Sequence, residues 1–216
     1  KTDAQEWENL YYATGDPNKV LLAGFKNDSL KKYTGKSVAE MATIRHTSPE
    51  EVICDLVVQD GSRVGTVYFL MSEENIKKQL QLPYITFGSD AEAPATEGVF
   101  LKSSTHPRAY GNFARLLGKY VRDEQVIPLE DAIHKLTFMA TERLKIAKRG
   151  KLAPGYFADI VVFDPATIAD HATFEEPHQY STGVIDVWVN GKQVVANGEH
   201  TGETPGRFVK GPGYRK

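Results

Sequence analysis

The sequence lacks the features that mark secreted, membrane-spanning or nucleic-acid-binding proteins. Cys54 is the only cysteine among 216 residues, so no disulfide can form within the chain. No apolar run approaches the roughly 20 residues that cross a bilayer, and no signal-peptide pattern opens the sequence. The formal net charge is -2 without a basic run, which argues against nucleic-acid binding. These absences predict a cytoplasmic protein with neither a membrane nor a nucleic acid as its partner.

Common catalytic signatures are also missing. There is no His-x-His pair, no pair of cysteines, no glycine-rich phosphate loop and no nucleophile elbow. His171, His178 and His200 have no ligand spacing to one another. A hydrolytic metal site needs about three or four protein ligands. The sequence offers one strong candidate, the carboxylate of Asp90.

Asp90 ends the most informative stretch of the chain, Tyr84–Asp90. Apolar, β-favouring residues follow Pro83 and end in Gly-Ser-Asp, a pattern that predicts a buried strand. Barrels of alternating strands and helices place their active sites at the C-terminal ends of such strands. A carboxylate there can bind a divalent metal or accept a proton from a metal-bound water. The alternative is an aspartate that only caps the following loop.

The residues before this stretch predict another buried strand and a helix. Val64–Met71 is nearly all apolar, and a helix is expected to begin at Ser72 and to end before Pro83. Strand, helix and strand in this order form a βαβ unit with parallel strands. Met71 and Asp90 are therefore expected at the same end of the sheet.

Four further segments have the pattern of a regular element: a strand at 7–14 and helices at 37–45, 49–60 and 128–144. Cys54 lies in the apolar pattern of one of these helices and is assigned to the core. His46 and His134 are expected to be exposed. Residues 91–125 show little periodicity, and so long a loop after Asp90 is expected to act as a lid or a binding loop.

The C-terminal part of the chain changes to the period of β-strands. Strands are predicted at 158–164, 183–190 and 192–195, and Asn190-Gly191 predicts a tight hairpin between the last two. We therefore expect two domains, residues 1–146 and residues 147–216.

Arg108 lies in the predicted loop after Asp90. Its guanidinium could bind a carboxylate in a bidentate way, or it could merely neutralise acidic groups on the surface. His106 could be a metal ligand, although packing within the loop is the simpler expectation. Tyr68 and Met71, near the end of the preceding strand, could line an apolar pocket or fill the core.

The chain carries a series of short motifs in order. They are Phe87-Gly88-Ser89-Asp90, His106-Pro107-Arg108-Ala109-Tyr110-Gly111, Leu116–Arg122, Lys148–Leu152, Gly155–Pro165, Ala172–Pro177, Val189-Asn190-Gly191 and Gly198–Gly202. In combination they resemble the N-acyl-D-amino-acid deacylases, or D-aminoacylases, of the amidohydrolase superfamily. The resemblance covers nearly the whole chain.

The resemblance implies the C-terminal part of a (β/α)8 metal-dependent hydrolase barrel, followed by a small antiparallel β-sandwich domain. It implies zinc-dependent hydrolysis of an N-acyl-D-amino acid to a carboxylate and a free D-amino acid. The aspartate matching Asp90 ends the eighth barrel strand, lies next to the metal and acts as general base. The arginine matching Arg108 binds the α-carboxylate of the substrate. The residues matching Tyr68 and Met71 contribute to the pocket for the amino-acid side chain.

The sequence departs from this family in two ways. Ala91 stands where the family usually has glycine. The half of the family pattern that holds the His-x-His pair, a cysteine ligand and two further histidines is absent, whereas a complete barrel takes about 250 residues. The chain is therefore expected to need the N-terminal portion of the same enzyme as its partner. Two alternatives remain: an amidohydrolase acting on cyclic amides or ureides, and a non-catalytic association fragment.

Overall fold

The structure is a computed structural model that describes residues 8–102 and 105–215. Among these residues the chain forms two compact units. The first unit contains 8–73, 93–107 and 173–179, and the second unit contains 74–92, 108–172 and 180–215. Each unit has a hydrophobic core of its own.

The first unit combines a two-stranded sheet with short helices. Its elements are α1 (Leu10–Thr14), β1 (Val20–Gly24), α2 (Val38–Arg45), α3 (Pro49–Asp60), β2 (Gly65–Tyr68) and 3₁₀ turns at Pro17–Lys19, Asp28–Tyr33 and Gly98–Lys102. Strands β1 and β2 are antiparallel, with Val20 opposite Tyr68. The buried core consists of Val20, Leu22, Phe25, Leu30, Val38, Met41, Val52 and Leu56.

Local capping explains where α2 and α3 begin. The side chains of Ser37 and Ser48 each accept a hydrogen bond from the backbone three residues on, and Glu40 and Glu51 return the interaction. Both predicted helix starts are confirmed. The assignment of Cys54 to the core is wrong, because Cys54 is exposed. Residues two apart on a helix do not share a face, and the core side of α3 is formed by other residues.

The second unit is built from helices and an antiparallel sheet. Its helices are α4 (Glu73–Gln81, which begins one residue before the unit), α5 (Arg108–Arg115), a π-helical continuation (Leu116–Asp123), α6 (Leu129–Leu136) and α7 (Phe138–Arg143). Its buried core consists of Leu80, Ala114, Leu116, Leu117, Tyr120, Ile127, Ala132 and Ile168. The helix predicted at 128–144 is present but is interrupted at Thr137.

The sheet of the second unit has the predicted antiparallel topology. Its strands are β3 (Ile160–Phe163), β4 (Val184–Val189), β5 (Lys192–Ala196) and β6 (Glu199–His200), paired in that order. The hairpin between β4 and β5 turns at Asn190 and Gly191, whose φ values are 51° and 81°. Positive φ at both positions is what the predicted two-residue turn requires.

Two strand predictions in the N-terminal part of the chain are wrong, and a third, at 64–71, is confirmed only over Gly65–Tyr68. Residues 10–14 form helix α1, which Asn9 caps through a hydrogen bond from the Tyr12 backbone; Trp7 lies outside the described residues. Residues 84–90 form no strand. Strand β2 is only four residues long and pairs with β1 in the antiparallel sense, so no parallel βαβ unit forms. A strand needs a neighbouring strand for its backbone hydrogen bonds, and none pairs with 84–90 among the described residues.

The predicted loop at 91–125 is also wrong in its second half, which is helical from Arg108 to Asp123. The described residues form a mixed α/β structure with a small four-stranded sheet, and no closed barrel is seen among them.

None of the described helices is both long and apolar enough to cross a membrane. His46 and His134 are exposed, as expected. The division into domains at residue 147 remains a prediction.

Lys135 joins α6 to the end of α4. Its side chain is 5% exposed, and its ammonium group donates hydrogen bonds to the carbonyl oxygens of Leu80 and, at 2.8 Å, Leu82. These carbonyls lie at the C-terminal end of α4, where backbone acceptors lack partners within the helix. Burial lowers the pKa of Lys135, against the opposing attraction of Asp131.

Lys135→Met is expected to lower the free energy of unfolding by about 1–3 kcal/mol near pH 7, because two carbonyl groups lose a donor. With a folded pKa below its usual 10.5, the unfolded chain binds more protons between those two values. Stability of the parent relative to the variant should therefore rise as pH increases through that window. Urea titrations at several pH values measure this slope. Lys78→Met, which removes the exposed partner of Glu74, is the control and should lower the free energy of unfolding by less than Lys135→Met does.

Candidate functional site

Asp90 lies at the end of an irregular segment that begins where α4 ends. Phe87, three residues earlier, packs against the core of the second unit, and the Lys135 ammonium lies 5.7 Å from the centre of its ring. Lys135 also binds the carbonyl of Leu82. The backbone before Asp90 is thus attached to α6 without being part of a sheet. Asp90 itself has φ of 46° and a side chain that is 92% exposed.

Arg108 is the first residue of α5 and lies next to Asp90. Its Nη2 donates a hydrogen bond to Oδ2 of Asp90 over 2.9 Å, and its side chain is 42% exposed. The two residues are 18 positions apart in the sequence. The structure therefore brings together the carboxylate and the guanidinium that the sequence singled out. Because both groups are accessible, either can also meet a ligand.

Helix α5 is attached to the segment that precedes β4. Arg115, at the end of α5, pairs with Asp170 over 3.1 Å between Nη1 and Oδ2. Burial acts to lower the pKa of Arg115, but hydrogen bonds to Asp170 and Tyr120 raise it above its usual value. Arg115 is therefore a permanent cation, and its pairing with Asp170 helps to hold the helix that carries Arg108.

The remaining predicted site residues belong to the first unit. Tyr68 lies in β2 and packs, half-buried, against the core of that unit. Met71 follows β2 and is 68% exposed. His106 is half-buried, with its ring 5.1 Å from that of Phe174 in an edge-to-face arrangement. The roles of Tyr68 and Met71 in a substrate pocket remain predictions.

The described residues offer too few converging donors for zinc. Among residues 8–102 and 105–215, no three histidine, cysteine, aspartate or glutamate side chains converge to hold a metal ion. The carboxylate of Asp90 is a suitable type of ligand, but zinc takes about three or four protein ligands. The described residues therefore do not form a zinc site by themselves.

Helix α5 was missed by the sequence prediction, together with its contacts to Asp170. A signal was present across α5 and its π-helical continuation: Ala114, Leu117 and Val121 have the spacing of one α-helical face, and the first two are buried. The glycines and polar residues around them weakened the pattern. The contact with Asp170 had no sequence signal, because it joins residues far apart in the chain.

Most of the chain is similar to known proteins. A family model described as the amidohydrolase family matches residues 36–195. A D-aminoacylase of Alcaligenes xylosoxydans xylosoxydans is 39% identical over 196 residues, which are 89% of this chain and 38% of that protein. An N-acyl-D-aspartate deacylase of the same organism is 40% identical over 74% of this chain and 32% of its own length. The chain thus spans well under half the length of these relatives.

Solved structures show the same partial match. A crystal structure of D-aminoacylase superposes with a TM-score of 0.69 and 35% identity, covering 85% of this chain and 36% of that chain. The N-acyl-D-glutamate deacylase from Bordetella bronchiseptica, complexed with zinc and a phosphonate inhibitor, gives 0.70 and 31% identity over 88% and 38%. Another D-aminoacylase structure addresses a binuclear metal centre. The present chain resembles part of each of these structures.

Proposed function

Since this chain belongs to the amidohydrolase family, we propose that it supplies the C-terminal part of a zinc-dependent active site that hydrolyses N-acyl-D-amino acids. The products are a carboxylate and a free D-amino acid. The observation that carries the proposal is the contact between Arg108 and Asp90. The distance from Nη2 of Arg108 to Oδ2 of Asp90 is 2.9 Å. In the same proposal residues 1–146 belong to the barrel portion and residues 147–216 to the β domain.

Arg108 binds the α-carboxylate of the substrate. A guanidinium presents several N–H donors in one plane, so it can pair with more than one carboxylate. The contact with Asp90 therefore does not prevent Arg108 from binding a substrate. An amide bond next to a carboxylate held by Arg108 would lie close to Asp90.

Asp90 acts as general base and then as general acid. It takes a proton from the attacking water and delivers that proton to the leaving amine. Tyr68 and Met71 contribute to the pocket for the amino-acid side chain. Asp90 would be one ligand of a zinc ion held mainly by residues outside the described ones, and that ion would supply Lewis acidity toward the scissile carbonyl. The N-terminal portion of the same enzyme is the partner that provides those ligands.

The test uses the complete enzyme that contains this sequence and compares Arg108→Lys with the parent. A lysine keeps the positive charge but loses the planar fork. We expect KM for N-acetyl-D-methionine to rise roughly 10-fold to 100-fold, as for loss of a hydrogen bond to a charged group, with kcat changed much less.

The decarboxylated analogue of the same substrate is the control. Its KM should not change between the parent and Arg108→Lys, because it has no carboxylate to bind. An unchanged KM for N-acetyl-D-methionine in the variant would remove Arg108 from substrate binding. It would also remove the observation that supports a deacylase acting on amino-acid derivatives.

A further inference from the structure

We propose that Gly111 and Asp170 are positioning residues for Arg108 and thereby determine selectivity for substrates that carry a carboxylate. This inference rests on the proposed function of Arg108. It concerns the surface on which α5 lies, which is formed by the residues before β4 in the second unit. Neither Gly111 nor Asp170 is proposed to contact the substrate.

The contact at Gly111 allows no side chain. A Cβ atom added to Gly111 would lie 2.7 Å from the Cβ of Asp170 and 3.4 Å from its Oδ2. Carbon atoms do not approach one another to 2.7 Å without repulsion, since their favourable separation is about 3.5–4.0 Å. The Cβ of Asp170 is attached directly to the backbone, so it cannot turn aside as the end of a long side chain could. The close approach of α5 to Asp170 thus depends on glycine.

Two polar contacts on either side of Gly111 keep α5 in this place. Ser181 donates a hydrogen bond from its hydroxyl to the carbonyl oxygen of Tyr110 over 2.6 Å. Arg115 pairs with the carboxylate of Asp170 over 3.1 Å, and that carboxylate side chain is only 18% exposed. A partly buried ion pair is screened less by solvent than a fully exposed one.

The same surface also meets the π-helical continuation of α5, seven residues after Gly111. A Cβ added to Gly118 would lie 2.6 Å from the carbonyl oxygen of Ile168. Contacts at Gly111 in α5 and at Gly118 in its continuation, both made by residues 168–170, hold the continuous helical segment at two points. A helix held at two points cannot tilt freely, so the position of its first residue is defined.

Arg108 is that first residue, less than one turn before Gly111. A displacement of α5 away from Asp170 would therefore move the guanidinium relative to Asp90, which lies on a different segment. A misplacement of about 1 Å can cost about 100-fold in rate at a site that depends on geometry. The effect should fall on substrates that use Arg108 and spare those that do not.

Gly111→Ala in the complete enzyme tests this. We expect KM for N-acetyl-D-methionine to rise while KM for the decarboxylated analogue does not. The ratio of KM for the analogue to KM for N-acetyl-D-methionine should then fall about tenfold, less than the roughly 100-fold that a misplacement of 1 Å can cost. A merely structural loss of folded protein would lower the apparent activity toward both substrates equally and leave this ratio unchanged. Gly206→Ala is the matched control, because an added Cβ there meets nothing within 4 Å.

A rescue experiment identifies the contact responsible. Asp170→Gly removes the Cβ that the new methyl group would meet, whereas Asp170→Ala keeps it. Both double variants lose the carboxylate that pairs with Arg115, but only the double variant of Gly111→Ala with Asp170→Gly also removes the clash. Its ratio should therefore be higher than that of the double variant with Asp170→Ala. Equal behaviour of the two double variants would overturn the role of the Gly111–Asp170 contact.

Ser181→Ala tests the same surface without introducing a steric clash. It replaces Gly111→Ala as the test variant if Gly111→Ala does not fold. It should lower the ratio about threefold by releasing the carbonyl of Tyr110, a smaller effect that fits the loss of one neutral hydrogen bond. Arg108→Lys is measured beside these variants. If it changes the ratio and they do not, the positioning inference fails alone; if it has no effect either, the proposed function of Arg108 fails.

Discussion

Asp90→Ala is expected to lower kcat of the complete enzyme roughly 10³-fold, within the range that a positioned general acid or base contributes. The variant removes the only group in the described residues proposed to move a proton. KM should change little, since Asp90 is not proposed to bind the carboxylate. Steady-state kinetics on N-acetyl-D-methionine measure both quantities.

Folding of the Asp90→Ala variant should remain intact. The side chain is 92% exposed, and its ion pair with Arg108 lies in solvent, where such pairs contribute little to stability. Asp90→Asn is the matched variant, because it keeps the shape of the side chain but cannot accept a proton. If Asp90→Asn keeps the activity of the parent, Asp90 has no proton-transfer role.

The second large effect is expected when this chain is combined with the N-terminal portion of the same enzyme. The chain alone should neither bind zinc tightly nor turn over N-acetyl-D-methionine, because its described residues bring no three ligands together. Adding the N-terminal portion of the same enzyme should produce both, with a metal content of about one or two zinc ions per complex, as one-metal and two-metal hydrolytic sites hold. Metal analysis and activity are measured on the same preparation.

Controls for this experiment use variants of the chain itself. A complex formed with Asp90→Ala should assemble but remain nearly inactive, which separates association from catalysis. If the parent complex assembles without gaining activity, the chain acts as a non-catalytic association fragment. If cyclic amides or ureides are hydrolysed instead, and Arg108→Lys has no effect on that activity, the substrate class is wrong.

The sequence predicted elements whose signals are local. Ser37 and Ser48 cap their helices because a cap involves residues only three positions apart. The Asn190-Gly191 turn forms because both residues tolerate positive φ. The spacing of apolar residues in α4 and α6 is also a local signal that predicts a helix, and both helices are present.

Strand predictions failed where pairing depended on distant residues. The apolar run ending at Asp90 has the composition of a strand, yet no strand pairs with it among the described residues. The run ending at Tyr68 forms only a short strand, and its partner is β1 rather than a parallel neighbour. Composition determines whether a segment can be a strand, whereas its partner decides whether it becomes one.

For the candidate site, the sequence by itself determined which residue types are available: one acid at position 90, one arginine at position 108, and no His-x-His pair. Tertiary structure alone decided that Nη2 of this arginine lies 2.9 Å from Oδ2 of this acid. It also decided that the helix carrying Arg108 lies against Asp170 at a glycine. The reason is physical: a side chain's chemistry belongs to its own residue, but a distance between two residues depends on all the packing that separates them.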